Sequence, residues 1–173
     1  MRPSRAALVA AVLFIPASGF AQGAKPKLDD AAIVGIFDAA NSWDVSTGSL
    51  AARRASRADV KELGAMLVRD HKAVQKQGRQ LAAKLGVTPT PVAADFALKK
   101  DYDDTMKRLA GVKGAEFDRA FLEHEVAYHR AVIDAVTNAF LPAIKNAELK
   151  AFVEKVAPAF AAHMAAADNL LKK

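Results

Sequence analysis

Four ionisable side chains stand where the surrounding pattern asks for apolar ones. His71 follows Val60, Leu63 and Leu67 and precedes Val74, Gly78, Leu81 and Leu85. His129 falls among Leu122, Val126, Ile133, Val136 and Phe140. His163 falls among Leu149, Phe152, Val156, Phe160, Ala167 and Leu170, and Asp44 among Phe37, Ala40, Gly48 and Ala51. Steps of three and four residues keep side chains on one helical face, so each of these groups turns toward a core. Imidazole nitrogens with one carboxylate suit zinc, copper or iron. The same four groups without an ion can form a buried hydrogen-bond network that fixes helix register. Both readings stay open at the level of sequence. Glu125, four residues before His129, together with Asp70 and Tyr128, is placed to orient these groups. Asp70 is set about 100° around the helix from His71 and is expected to meet a surface partner as well. His124 is expected to face outward, and Trp43 to be a core residue flanking Asp44.

Several other chemistries are excluded by spacing. A ferritin-type di-iron centre needs Glu-x-x-His on two helices. The residues three before the histidines are Val68, Phe121, Val126 and Phe160. There is no cysteine nucleophile, no phosphate-binding glycine loop and no His-Glu-x-x-His. The stripes present no serine beside a histidine, as Ser-His-Asp hydrolysis would require. The residue types therefore favour binding over catalysis.

The elements that must carry these groups are all helical. Alanine dominates, no window alternates with period two, and the chain reads as all-α. Asp29 or Asp30 caps a first helix that runs to Arg54 or Ala55. Ser56 is a candidate cap for a second helix ending at Gly86. Thr88-Pro89-Thr90-Pro91 forms a stiff bridge to a shorter helix over 92–109. A long helix over 115–140 ends at Leu141-Pro142, and Asn146 caps a last helix over 147–172. Pro158 is expected to bend that last helix. This pattern predicts an up-down four-helix bundle with an extra short helix between helices two and three.

Antiparallel helices place residues equidistant from their shared turn at equal depth. Asp44 lies 13 residues before a turn centred near residue 57 and His71 lies 14 after it. At about 1.5 Å per residue both sit roughly 20 Å from that turn. His71 is 15 residues before Gly86, and His129 is 15 after Gly114. His163 comes to within about one helical turn of the same level. The four groups are thus expected to converge in the middle of the bundle, where such folds build metal sites.

Length and charge bound the setting. The chain of 173 residues suits one domain, and 52% hydrophobic residues supply a core without crosslinks. Residues 1–21 read as a cleaved secretory signal, with Arg2 and Arg5, an apolar run from Ala6 to Ile15 and a small-x-small site at Gly19-Phe20-Ala21. Residues 22–28 are a linker and 29–173 the bundle domain. The apolar run falls short of the roughly 20 residues a spanning helix needs, and no other segment is a transmembrane candidate. The absence of cysteine excludes a lipoprotein anchor and any disulfide. Export without disulfides suggests a bacterial periplasm. Removing Arg2 and Arg5 lowers the formal charge from +6 to +4. The remaining cations alternate with acids along helix faces, which argues against nucleic acid as a partner. An association with the envelope or a membrane surface is compatible with this charge but has no focus.

Four motifs resemble one known family. They are Asp44-Val45-x-x-Gly48-x-Leu50-Ala51; Val60-Lys61-x-Leu63-x-x-Met66-x-x-x-Asp70-His71; Phe117-Asp118-x-x-Phe121-Leu122-x-x-x-Val126-x-x-His129; and Leu149-Lys150-x-Phe152 followed by Pro158-x-Phe160-x-x-His163. Together they resemble the exported bacterial "domain of unknown function" family 4142, often labelled outer-membrane or exported proteins, over about residues 29–171. The resemblance implies a ferritin-like four-helix bundle in the periplasm, with the family's histidines at His71, His129 and His163. Asp44 departs from it, standing where the family more often carries glutamate. A role in envelope homeostasis or stress is the functional expectation.

Overall fold

The computed structural model describes residues 28–173; the expected signal and most of the linker lie outside the described residues. Six helical segments follow in order: α1 Asp30–Arg54, α2 Ala58–Leu85, α3 Ala97–Gly111, α4 Gly114–Ala135, α5 Leu141–Ala143 and α6 Ala147–Leu171. A π-helical turn, Val136–Phe140, joins α4 to α5. The long helices α1, α2, α4 and α6 make the bundle, and α3 is the extra short helix. No strand occurs among the described residues.

The helix ends show why the chain breaks where it does. Asp29 caps α1 by accepting from the Ala32 amide at 3.0 Å. Gly86 closes α2 in the left-handed region, φ 66°, which a side chain would resist. Asn146 caps α6, accepting from the Glu148 and Leu149 amides. Ser56 does not cap α2. Its amide, its hydroxyl and the Arg57 amide all donate to the buried carboxylate of Asp118, at 2.8, 2.5 and 2.9 Å. A carboxylate from α4 thus replaces the local cap and ties the first turn of the bundle to its third long helix. Asp30 performs the matching task at the other end, accepting from the Lys145 and Asn146 amides.

Two boundaries differ from expectation. α3 begins at Ala97 rather than residue 92, because Pro89 and Pro91 hold the chain extended and the Phe96 amide closes a turn onto Ala93. The third long helix, α4, ends at Ala135 rather than at residue 140. Without an N–H, Pro142 breaks the regular ladder, and the π-helical turn absorbs the mismatch before α5. α6 runs through Pro158 as one helix.

α1 and α2 are pressed together at Gly48 and Gly64. A Cβ on Gly64 would lie 2.6 Å from the Gly48 carbonyl oxygen, and one on Gly48 would lie 2.9 Å from the Gly64 oxygen. Both obstacles are backbone, so neither can swing aside. This close crossing brings Asp44, four residues before Gly48, level with His71, seven after Gly64. Gly64→Ala is expected to destabilise the fold by about 1–3 kcal/mol through overpacking. At Gly78 a Cβ meets only the Phe152 ring, at 3.5 Å. Gly78→Ala is therefore expected to stabilise by about 0.5–1 kcal/mol, the ordinary helix gain. Urea denaturation of both variants checks the pair.

The apolar core is in two parts. One gathers Ile33, Phe37, Tyr128, Val132, Leu149, Val153 and Phe160. The other gathers Ala51, Val60, Leu67, Leu109, Phe117, Phe121 and Leu122. Between them lies a polar layer.

Candidate metal centre

Each long helix contributes to that layer. α1 supplies Asn41, Asp44 and Thr47; α2 supplies Asp70 and His71; α4 supplies Glu125, Tyr128 and His129; and α6 supplies His163. The three imidazoles meet: ring centroids lie 5.1 Å apart for His71–His163, 5.4 Å for His129–His163 and 5.5 Å for His71–His129. One nitrogen from each lies within 4.8 Å of the others. His71, His129 and His163 are 2, 1 and 5% exposed, and Asp44 is 3%. Asp44 Oδ2 is 3.4 Å from His71 Nε2 and 4.0 Å from His129 Nε2. The equal-depth expectation holds for all four residues.

Every imidazole is held from behind. His71 Nδ1 lies 2.9 Å from Asn41 Oδ1. Asn41 Nδ2 donates to the Phe37 carbonyl at 2.7 Å, which fixes the amide so that Oδ1 accepts from His71. His129 Nδ1 lies 3.0 Å from the Glu125 carbonyl oxygen and 3.4 Å from Glu125 Oε2. Thr47 Oγ1 steadies the other carboxylate oxygen of Glu125 at 3.2 Å. His163 Nε2 meets Asp70 Oδ2 at 3.2 Å. The inner nitrogens, His71 Nε2, His129 Nε2 and His163 Nδ1, have no hydrogen-bond partner, nor have Asp44 Oδ1 and Glu125 Oε2. Buried polar atoms are normally partnered, so five such atoms in one layer call for an explanation. An outer N–H bound to a fixed acceptor with an inner nitrogen left over is how metal-ligating histidines are set.

The surroundings limit what can enter. Phe160 stacks on His71, centroids 5.8 Å apart and rings 5° from parallel. A cavity of about 10 Å³ among Phe37, Ala40, Asn41, Asp44, His71, His129, Val132 and Phe160 reaches the layer. That size admits about one water or ion and no organic substrate.

Charge is distributed unevenly. Burial, reinforced by His129 and His163, pushes His71 down to about 3. Burial and His129 also lower His163. His129 behaves oppositely: burial opposes its charge, but Asp44 and Glu125 outweigh burial and raise it to about 9. Burial drives Asp44 well up, partly offset by His129 and reinforced by Glu125. Burial would raise Glu125, but the close approach of His129, with His124 and His71 nearby, overcomes it and holds the carboxyl below its ordinary value. The ion-free layer therefore holds Glu125 negative and His129 positive, with His71 and His163 neutral. Between pH 6.5 and about 3 the unfolded chain protonates His71 while the folded chain does not, so its contribution is lost on acidification. Between 6.5 and about 9 the folded chain keeps the His129 proton, and that contribution is lost as pH rises. The ion-free protein is expected to be most stable near pH 6.5, with each flank sloping by up to about 1.4 kcal/mol per pH unit per proton. Urea midpoints from pH 4 to 9, compared with His71→Leu for the acid flank, measure this.

The structure corrects and extends the residue list. His124 does not face outward: it is 8% exposed, with Nδ1 3.1 Å from Thr105 Oγ1 and 3.8 Å from Asp101, and so joins α4 to α3. Packing of α3 across that face buries it. Trp43 is half-buried and stacks on Tyr102 of α3, centroids 5.8 Å apart. Asp70 meets the expected surface partner, Arg69, at 2.9 Å, and also reaches His163. Tyr128 donates to the Ala40 carbonyl at 3.1 Å and lies edge-on to His129. Asn41 and Thr47 are absent from the sequence-based list, although each is three residues from Asp44 and so shares its helical face.

The fold and this layer define a class, a helical bundle built around a buried histidine–carboxylate centre. The chain belongs to the family described as "Domain of unknown function (DUF4142)", whose model matches residues 16–170. Two solved structures share the fold. "CopM in the Ag-bound form" aligns with a TM-score of 0.64 at 15% identity, covering 83% of this chain and 96% of that one. "CopM in the Cu(II)-bound form" aligns with a TM-score of 0.64 at 14% identity, covering 83% and 97%. No curated protein matches the sequence.

Proposed function

We propose that this protein binds one divalent transition-metal ion through His71 Nε2, His129 Nε2, His163 Nδ1 and Asp44, and that it does so as an exported protein of the bacterial periplasm, in envelope homeostasis or stress. The observation that carries this reading is the set of unpartnered inner nitrogens, each opposed by an anchored outer one. A hydrogen-bond network retained for structure alone would pair its own members.

Charge favours a divalent ion. An ion of charge +2 that faces the ionised carboxylates of Asp44 and Glu125, with the three imidazoles neutral, leaves the buried layer neutral. A monovalent ion in the same place would leave a buried net charge, which is costly. Nitrogen and carboxylate donors suit Zn(II), Cu(II) or Fe(II), whereas Cu(I) and Ag(I) prefer sulfur. No sulfur lines the cavity that reaches the layer. CopM, which shares the fold and has both an Ag-bound and a Cu(II)-bound form, supports the reading of a transition-metal site.

Metal analysis of protein purified from the periplasm, beside the His71→Ala/His129→Ala/His163→Ala variant, tests this. The proposal expects about one ion per chain in the wild type and none in the variant. Equal content in both would remove the site.

A further inference from the structure

The three histidines differ in what stands behind them. Asn41, behind His71, is 2% exposed, and His129 leans on the backbone and buried carboxylate of Glu125. Only His163 is anchored to a group that reaches solvent: the Asp70 side chain is 33% exposed and lies 3.2 Å from His163 Nε2. His163 therefore has one nitrogen facing the centre and the other facing a carboxylate at the surface.

A groove between α2 and α6 runs as far as Arg69, the residue that pairs with Asp70. Leu63, Ala166 and Leu170 line it, with Glu62, Met66 and Arg69 along α2. Glu62, Met66 and Asp70 follow at steps of four, so a carboxylate, a thioether and a second carboxylate lie along one face of α2. Arg69 Nε occupies Asp70 Oδ1 at 2.9 Å. Its side chain is 71% exposed, and ion pairs that exposed are held weakly, so an arriving cation can displace it.

We propose that Asp70 Oδ2 and His163 Nε2 form an outer binding site for a divalent transition-metal cation, the port through which the ion reaches and leaves the inner centre. This rests on the metal reading given above. The cation first exchanges for the Arg69 guanidinium on Asp70, and the His163 proton moves from Nε2 to Nδ1, which frees the Nε2 lone pair for the ion. The ion then passes to the inner nitrogens as that proton returns from Nδ1 to Nε2, and His163 recovers its bond to Asp70. Arg69 acts as a competing counter-charge that slows entry, and Asp70 as the group that captures the ion.

Stopped-flow uptake of Co(II), followed by its visible absorption in wild type, Asp70→Asn and Arg69→Ala, tests the port. Asparagine keeps an acceptor for His163 Nε2 but loses the charge. We expect Asp70→Asn to lower the association rate about tenfold, in the range of electrostatic steering. Its dissociation rate should fall too, so that Kd moves much less. Arg69→Ala is expected to raise the association rate about threefold. A purely structural role for the pair would not move the two variants in opposite directions. Rates within twofold of wild type in both variants, or slowing in both, overturn the port. A wild type that takes up no Co(II) overturns the metal reading and the port together; uptake with unchanged variant rates overturns the port alone.

Discussion

Zn(II) at a thousandfold excess over its Kd is expected to raise the thermal midpoint of the wild-type protein by about 8–16 °C. The figure follows from about 4 kcal/mol of linkage at that excess and about 2–4 °C per kcal/mol for a domain of this size. The architecture gives the ion a specific purchase. α1 and α2 form one closely packed hairpin through Gly48 and Gly64, and α4 and α6 form the other. His71 and Asp44 belong to the first hairpin, His129 and His163 to the second. An ion bound by all four joins the two halves across a layer where five buried polar atoms otherwise have no partner. The triple His→Ala variant is expected to show no shift. Calorimetry with and without Zn(II) reads both.

The second large effect concerns the ion-free protein and separates the histidines from one another. His129→Leu removes the only positive charge from a layer that keeps Glu125 ionised beside the buried Asp44 carboxyl. Breaking a buried pair in this way costs about 3–5 kcal/mol. His71 is neutral across the physiological range, and His71→Leu forfeits only its bond to Asn41 while adding apolar volume against Phe160. A smaller loss, about 1–3 kcal/mol, is expected there, because Asn41 Oδ1 is left buried without its donor. Urea denaturation of the two variants with chelator present makes the comparison. Equal, small effects from both would mean that His129 is not charged in the ion-free layer.

The convergence of four helices on one layer was legible because period and depth are properties of the sequence. Asp44 and His71 are nearly equidistant from their turn, and helical rise alone puts them level. What holds the imidazoles was less legible. Asn41 and Thr47 are ordinary small polar residues whose roles appear only when α2 and α4 are packed beside α1. His124 was misplaced because the apolar pattern of α4 says nothing about α3, which covers that face. Ser56 was misread because a local cap and a carboxylate sixty residues away answer the same need of the α2 amides, and only the fold selects Asp118. The motifs shared with the family pointed to His71, His129 and His163, and geometry brings those three together. Asp44 lies 3.4 Å from His71 because the glycine crossing draws α1 close to α2.

The most direct measurement is X-ray absorption at the metal edge of the Zn(II)-loaded protein. The centre described here predicts three imidazole nitrogens at about 2.0–2.1 Å and one carboxylate oxygen at about 2.0–2.2 Å. The three-nitrogen signature should disappear in the triple His→Ala variant. A first shell of oxygens alone, or a spectrum unchanged by the loss of His71, His129 and His163, would contradict it.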